Sequence, residues 1–350
     1  MNSQYIKLIK SNPELWDLFT RKEEYNPDFL DQYGRFSHYQ SSCRDVLKPC
    51  VSQHLIENGF HPEYPDGKSF AVCLTHDIDV VNHSVMWKGI GGLKAIYKHD
   101  WPELGRQVSY VGSKKRPYNN FEDIMALEAE YDARSSFYFM ALEDGQQDHN
   151  YSLHQVESEI GTIIDAGWEV GLHGSHEAYC DYDQICREKA RLEKITGIPV
   201  VGYRNHYLRF RVPDTWEYLS RAGFLYDTTV GYADCVGFRN GMCHPNRPYN
   251  LNTDSVINIL EIPLVVMDGT LYSDHMGLTP DVAMDCVKRL IDLIAECRGV
   301  FTLLWHNSMF LDGTMEKEMY GKILEYCYER NAWMTSGAEI AEWVNNSYVQ

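Results

Sequence analysis

The sequence predicts an α/β fold: a distorted (β/α) barrel of seven or eight strands carrying a small helical cap at its N-terminus. Two observations predict it. Short apolar runs alternate with amphipathic stretches from residue 69 onward, the pattern of a parallel sheet covered by helices. Polar residues with metal or acid–base chemistry then fall just past the ends of those runs, the face on which barrel active sites are built.

Taken in order, the apolar runs are 69–75 (SFAVCLT), 135–142 (SSFYFMAL), 168–172 (WEVGL), 199–203 (PVVGY), 224–228 (FLYDT), 258–266 (NILEIPLVV), 300–305 (VFTLLW) and 332–335 (AWMT). Between them lie 120–131, 154–166, 183–195, 280–297 and 316–329, where apolar residues recur at spacings of three and four, as outer helices require. Residues 1–66 read as a helical, irregular extension closed off by the turn Pro65-Asp66-Gly67, and 67–350 as the barrel. Two long stretches without a clean period, about 80–118 and 229–257, read as functional loops.

Composition sets the limits. Hydrophobic residues make up 44% of the 350 and charged residues 23%, ordinary values for a globular chain with a sizeable core. A formal charge of −18 repels phosphate backbones and anionic lipid headgroups, so nucleic acid and membrane surfaces are excluded as partners. No apolar run approaches the roughly 20 residues of a membrane span, and the start MNSQYIKLIKSNPELW lacks the order of a signal peptide. The ten cysteines make no C-x-x-C pair and read as reduced, mostly buried thiols. These features together predict a cytoplasmic enzyme.

The strand ends carry the chemistry. The first run ends in Thr75-His76-Asp77-Ile78-Asp79, the third in His173-Gly174-Ser175-His176, the fourth in Arg204-Asn205-His206-Tyr207, the fifth in Asp227 and the seventh in Trp305-His306-Asn307. Alternation along an extended chain sends Asp77 and Asp79 the same way, and two like charges that close call for a cation. On a helical turn His173 and His176 would share a face within reach of one ion. Arg204, following Val200-Val201, needs a carboxylate, and Asp77 is the partner that converging strand ends offer. His306 follows an apolar strand, where an imidazole is costly unless hydrogen-bonded. Tyr203, Tyr207 and Trp305 at the same rim would either stack on a sugar face or pack.

In this order the motifs resemble those of the polysaccharide deacetylases of carbohydrate esterase family 4, over residues of about 69 to 340. Thr75-His76-Asp77-Ile78-Asp79 resembles the first family motif, His173-Gly174-Ser175-His176 the second, Arg204-Asn205-His206-Tyr207 the third, Tyr226-Asp227-Thr228-Thr229 the fourth and Leu303-Leu304-Trp305-His306 the fifth. The resemblance implies a divalent metal, zinc first with cobalt or nickel as alternatives, held by Asp79, His173 and His176. It implies Asp77 as base steadied by Arg204, His306 as acid held by Asp227, and substrate contacts from Tyr207, His206 and Trp305. The expected reaction removes an N-acetyl or related acyl group from a small-molecule or lipid-linked amino sugar in bacterial surface-polysaccharide biosynthesis.

Three departures bear on these roles. The family's adjacent aspartates have become Asp77-Ile78-Asp79, the two histidines stand one residue closer than the family spacing, and His206 replaces a proline. His176 is therefore the ligand most open to replacement, by His206 or His76. Two rival readings stand beside the deacetylase. One is a metal-assisted glycoside hydrolase using carboxylates among Asp227, Glu261 and Asp268; the other is a sugar-binding barrel without catalysis.

Overall fold

The computed structural model describes residues 3–81, 118–272 and 275–347. The long loop expected at about 80–118 falls almost entirely outside these residues. Its core is a curled, mostly parallel sheet flanked by helices, a distorted (β/α) barrel that stays open along one side.

Nine strands build the sheet. They are β1 (Phe70–Ile78), β2 (Ser136–Met140), β3 (Glu169–Gly174), β4 (Gly202–Asn205), β5 (Tyr226–Asp227), β8 (Leu260–Glu261), β9 (Val266–Met267), β10 (Val300–Leu304) and β11 (Ala332–Thr335), while β6 (Tyr249–Asn250) and β7 (Ser255–Val256) form a separate antiparallel hairpin. The order is β8-β5-β4-β3-β2-β1-β10-β9, every pairing parallel. β1 is the hub. It pairs with β10 along one edge and, along the other, with β11 over Phe70–Cys73 and β2 over Thr75–Ile78. The apolar run expected as one strand at 258–266 is instead two short pieces, because Pro263 between them has no N–H to donate to a ladder.

Helices alternate with the strands as the periodicity predicts. α1 (Ser3–Lys10), α2 (Pro13–Phe19) and α3 (Cys50–Glu57) belong to the N-terminal segment; α4 (Phe121–Ala129), α5 (Glu157–Asp165), α6 (Tyr182–Thr196) and α7 (Asp214–Arg221) follow β1 to β4 in turn. α8 (Asp268–Tyr272), α9 (Pro280–Glu296), α10 (Met315–Glu329) and α11 (Gly337–Ser347) complete the layer, with α7, α8 and α11 not foreseen from the periodicity. None is long and apolar enough to cross a membrane among the described residues, and no disulfide joins any of the ten cysteines.

Every residue of β1 is buried, so its two faces are distinguished by what they meet. Phe70, Val72, Leu74 and Ile78 join the large cluster under the helices, whereas Ala71 and Cys73 face the barrel interior with Tyr138 and Tyr226. His76 lies on the helix side. There its ring bonds the Trp305 carbonyl at 2.6 Å and Glu128 at 2.9 Å.

The N-terminal segment is packed onto the barrel rather than appended to it. Ile9, Trp16, Phe19, Val51 and Leu55 form a cluster with Met242 and Tyr249 of the 229–257 stretch. Buried ion pairs join Arg21 and Arg239 to Glu24.

Beneath the candidate site the barrel is filled tightly. A Cβ on Gly171 of β3 would lie 2.4 Å from the Tyr138 ring, so this position admits no side chain without repacking. Gly171→Ala is expected to destabilise the fold by roughly 1–3 kcal/mol. Gly161→Ala in α5, where a Cβ meets nothing within 4 Å, should stabilise it by about 0.5–1 kcal/mol. Urea denaturation of both variants checks the pair; equal effects would mean that the barrel interior can relax around an added methyl.

Candidate functional site

The site is assembled from strand ends by alternation. Asp77 and, just beyond β1, Asp79 continue the interior-facing set of Ala71, Cys73 and Thr75, and in β3 the same parity brings His173 inward above Gly171. Arg204 of β4 reaches Asp77, and His206 opens the short turn that follows. That turn is strained, with Tyr207 at φ 60° and Leu208 at φ 55°, a backbone region that non-glycine residues rarely occupy.

Three imidazoles aim the same ring nitrogen at Asp79. His173 Nε2 lies 3.1 Å from Asp79 Oδ1, His206 Nε2 lies 3.8 Å from Oδ1, and His306 Nε2 lies 3.6 Å from Oδ2. Each Nδ1 is turned toward an acceptor. The His173 Nδ1–H donates to the Arg204 carbonyl at 3.0 Å, His306 Nδ1 is 2.7 Å from Asp268 Oδ1, and His206 Nδ1 is 3.4 Å from Asp148 Oδ2. At His173 the bonded carbonyl fixes the tautomer that presents the Nε2 lone pair, the arrangement expected of a metal-binding histidine.

Asp79, His173 and His206 each offer one donor atom, and those atoms lie within 4.8 Å of one another. Asp79 Oδ1 and His173 Nε2 are buried and have no hydrogen-bond partner among the described residues. Buried polar atoms left this way are costly, and a shared cation would satisfy both. One carboxylate with two imidazoles suits zinc, and also cobalt or nickel.

Electrostatics match this geometry. Burial opposes ionisation of Asp79, yet His206, His173 and His306 together hold its carboxyl far below the usual range. Burial likewise opposes a charged His173, but Asp77 and Asp79 raise its pKa. For His306 burial is again outweighed, chiefly by Asp268, and its pKa is pushed up to about 10. Asp268 is fully buried and also accepts the His306 backbone N–H at 2.6 Å.

Asp77 is buried 3.8 Å from Arg204 Nη1 and 3.6 Å from His173 Nε2, with its Oδ1 unpartnered. Arg204, fully buried, is steadied by Thr75 and Thr228 hydroxyls at 3.0 and 3.2 Å. Asp77, Asp79, His173, His206 and His306 all line one cavity of about 240 Å³.

Four sequence expectations are corrected. His176 is not brought to the trio: β3 is extended through Gly174, so a separation of three residues turns the two rings apart, and His176 meets Asp148 at 3.4 Å and Gln147 at 3.2 Å. Asp227 does not hold His306. It lies beside Glu261 on the helix-facing side of the sheet, where Trp216 also bonds Glu261 and where burial and the neighbouring Asp227 drive the Glu261 carboxyl well above its ordinary value. Trp305 is fully buried against Tyr320, on the opposite face of its strand from the cavity, and His76 is excluded from the trio by the same parity on β1. Tyr207 does line the cavity, but its ring stacks on Tyr33 and packs against His206.

Several residues of the site carried no role in the deacetylase reading of the sequence, Asp268 having been named only as a carboxylate of the rival glycoside hydrolase. Asp268 follows β9 as the other acidic residues follow their strands, a signal concealed by reading 258–266 as one strand. Asp148 sits in the loop after β2, and Tyr33 and Arg35 come from the N-terminal segment.

This is a strand-end Asp/His centre in the mouth of an open (β/α) barrel. No protein-family model matches the sequence, and no curated protein matches it. Solved structures do share the fold. A Mycobacterium smegmatis protein assigned to the polysaccharide deacetylases aligns with 21% identity over 82% of this chain and 94% of its own, at a TM-score of 0.56. A probable polysaccharide deacetylase from Pseudomonas aeruginosa PAO1 aligns with 13% identity over 83% and 95%, at 0.57. The Puue allantoinase aligns with 16% identity over 84% and 96%, at 0.57. The chain therefore has the polysaccharide-deacetylase fold, which it shares with an allantoinase.

The geometry predicts which histidine matters to a metal. His206→Ala should weaken zinc binding by more than the roughly 10–100-fold that loss of an outer hydrogen-bond partner costs, whereas His176→Ala should change it by no more than about that. Zinc titration of the dialysed variants checks this; the reverse ranking would return the ligand role to His176.

Proposed function

We propose that the protein is a metal-dependent amide hydrolase that removes an N-acetyl or related acyl group from an amino sugar. The observation that carries this reading is the sharing of one cavity by a carboxylate–imidazole donor trio, an Arg-steadied carboxylate and an Asp-held imidazole. Shared fold with proteins assigned to the polysaccharide deacetylases supports the choice of substrate class.

Asp79, His173 and His206 would hold the ion, which when bound lowers the pKa of a coordinated water and polarises an amide carbonyl. Asp77 lies beside the trio but is paired with Arg204, so its carboxylate is the group placed to accept the proton of the attacking water. Arg204, itself fully buried, stands 3.8 Å from Asp77 and offsets its charge in a site with little access to solvent. His306, protonated through Asp268, is placed to deliver a proton to the departing amine. In this assignment Asp268 takes the positioning role expected of Asp227.

The rival hydrolase reading loses its carboxylates here, since Asp227 and Glu261 lie together on the helix side and Asp268 is committed to His306. The cavity is smaller than the roughly 300–1,000 Å³ of drug-sized sites, which favours a single sugar unit over a polymer segment. We place the reaction on a biosynthetic intermediate inside the cell, a reading with which the ten unbridged cysteines agree.

Acetate release from N-acetylated sugars tests the activity, and two aspartate variants test the roles. Asp79→Asn should lower metal affinity and recover part of its rate in excess zinc. Asp77→Asn should keep the metal and lose about 10²–10⁴-fold in turnover at any zinc concentration. Rescue of Asp77→Asn but not Asp79→Asn would exchange the two roles.

A pH profile tests the acid. His306 acts only while protonated, and Asp268 is the main group raising its pKa to about 10. Asp268→Asn should therefore move the alkaline limb of the rate profile to lower pH by at least about one unit. An unmoved limb would take the acid role away from His306.

A further inference from the structure

The N-terminal segment supplies part of the cavity wall through one tight turn, Asp31 to Arg35. The Asp31 N–H donates to the Arg35 carbonyl at 2.9 Å, and Asp31 Oδ1 accepts the backbone N–H groups of Tyr33 and Arg35, each at 2.9 Å. Gly34 closes the turn at φ +72°. So built, the turn stacks Tyr33 on Tyr207, ring centroids 4.9 Å apart and 13° from parallel, and lays the Arg35 guanidinium 4.7 Å over the Tyr33 ring.

Arg35 is placed with unusual care for a residue in an acidic chain. Its side chain is only 10% exposed. Nε bonds Asp31 Oδ2 at 2.8 Å and Nη1 donates to the Tyr207 carbonyl at 3.0 Å, while Nη2 has no hydrogen-bond partner among the described residues. The same side chain lines the cavity that holds Asp77, Asp79 and the three imidazoles. Clamping the strained Tyr207 accounts for Nη1, and the ion pair for Nε. Neither accounts for Nη2, on a side chain that lines the cavity.

A guanidinium N–H donates strongly to phosphate or carboxylate, and stacking on Tyr33 fixes the plane of the group in advance. With a formal charge of −18 over the chain, an anionic ligand would be taken up only where a cation is fixed locally. Among the described residues lining the cavity Arg35 is the only lysine or arginine.

We propose that Arg35 is a specificity-determining residue that binds a negatively charged group, phosphate or carboxylate, on the substrate. The substrate is then an anionic N-acylated sugar. The sugar in this statement rests on the deacetylase reading; the anion does not.

Calorimetry on the full chain, metal-stripped and zinc-loaded, would compare N-acetylglucosamine with N-acetylglucosamine 1-phosphate and N-acetylmuramic acid. At least one charged sugar should bind about 10–100-fold more tightly than the neutral one in both metal states, and the better of the two names the anion. Arg35→Gln should remove that preference, read as the ratio of charged to neutral affinity, which loss of the Tyr207 contact alone would not move. Arg35→Lys keeps a charge without the fork and the ion pair with Asp31 can re-form, so it should fold and retain only part of the preference. Equal binding of charged and neutral sugars by the unaltered protein overturns the proposal. So does a preference that survives in Arg35→Lys and Arg35→Gln, or one seen only with zinc, since the anion would then sit on the metal. If the preference holds but no acetate is released from any sugar, the hydrolase reading falls and the anion subsite stands.

Discussion

Asp77 and Asp79 stand on one face of a buried parallel strand, and much of the barrel mouth is arranged around the cost of placing two carboxylates so close. Two like charges in a site of low polarity cannot both ionise unless cations or strong donors meet them. Arg204 meets Asp77 across the barrel from β4, and three imidazoles meet Asp79. The central place of β1, bonded to β2, β10 and β11, is what brings partners from other strands within reach.

The imidazoles are not interchangeable, and their Nδ1 partners explain why. His173 donates to a backbone carbonyl, a neutral acceptor that leaves the ring able to offer a lone pair. His306 faces the buried carboxylate of Asp268, which favours the imidazolium and raises its pKa to about 10. His206 faces Asp148, a carboxylate 3.4 Å away that also stands 3.4 Å from His176 and is held below its usual pKa by them, with His206 the larger influence. Thus the same ring, turned to the same carboxylate, suits ligation at His173 and proton delivery at His306. An ion bound at Asp79 would neutralise part of the field felt by His306 and draw its pKa down toward the range in which an acid is most useful.

How far this could be read in advance depended on parity. The alternation that put Asp77 and Asp79 together also required His76 to face the helices, where Glu128 receives it. Likewise Trp305 had to be on the far side from Thr302 and Leu304. Those consequences were latent in a period of two. What failed was local geometry at the ends: His173 and His176 were placed on a helical turn, while β3 remains extended through Gly174 and leaves His176 outside. The Asp227 assignment failed for a related reason. β5 is only two residues long, so its outward face carries Asp227 to Glu261 before the chain can turn into the mouth. Asp148, Tyr33 and Arg35 come from irregular segments, where periodicity carries no information about direction.

Irregular backbone is also where the site departs most from a plain barrel. The step from β4 into the turn at His206 is made through two successive left-handed residues, Tyr207 and Leu208, a conformation that costs on the order of 1–3 kcal/mol at each. Such strain persists only where neighbours over-determine it. Here the Arg35 guanidinium holds the Tyr207 carbonyl, Tyr33 covers the ring and His206 packs against it. The turn that carries Arg35 is itself anchored nearby, since His38 bonds Asp234 at 2.8 Å and the Phe238 N–H donates to the Val46 carbonyl at 2.7 Å. Gly237 permits that last approach, because a Cβ there would strike the same carbonyl. The N-terminal segment is thus tied to the backbone that presents His206, and the donor trio depends on residues more than 170 positions away in the chain.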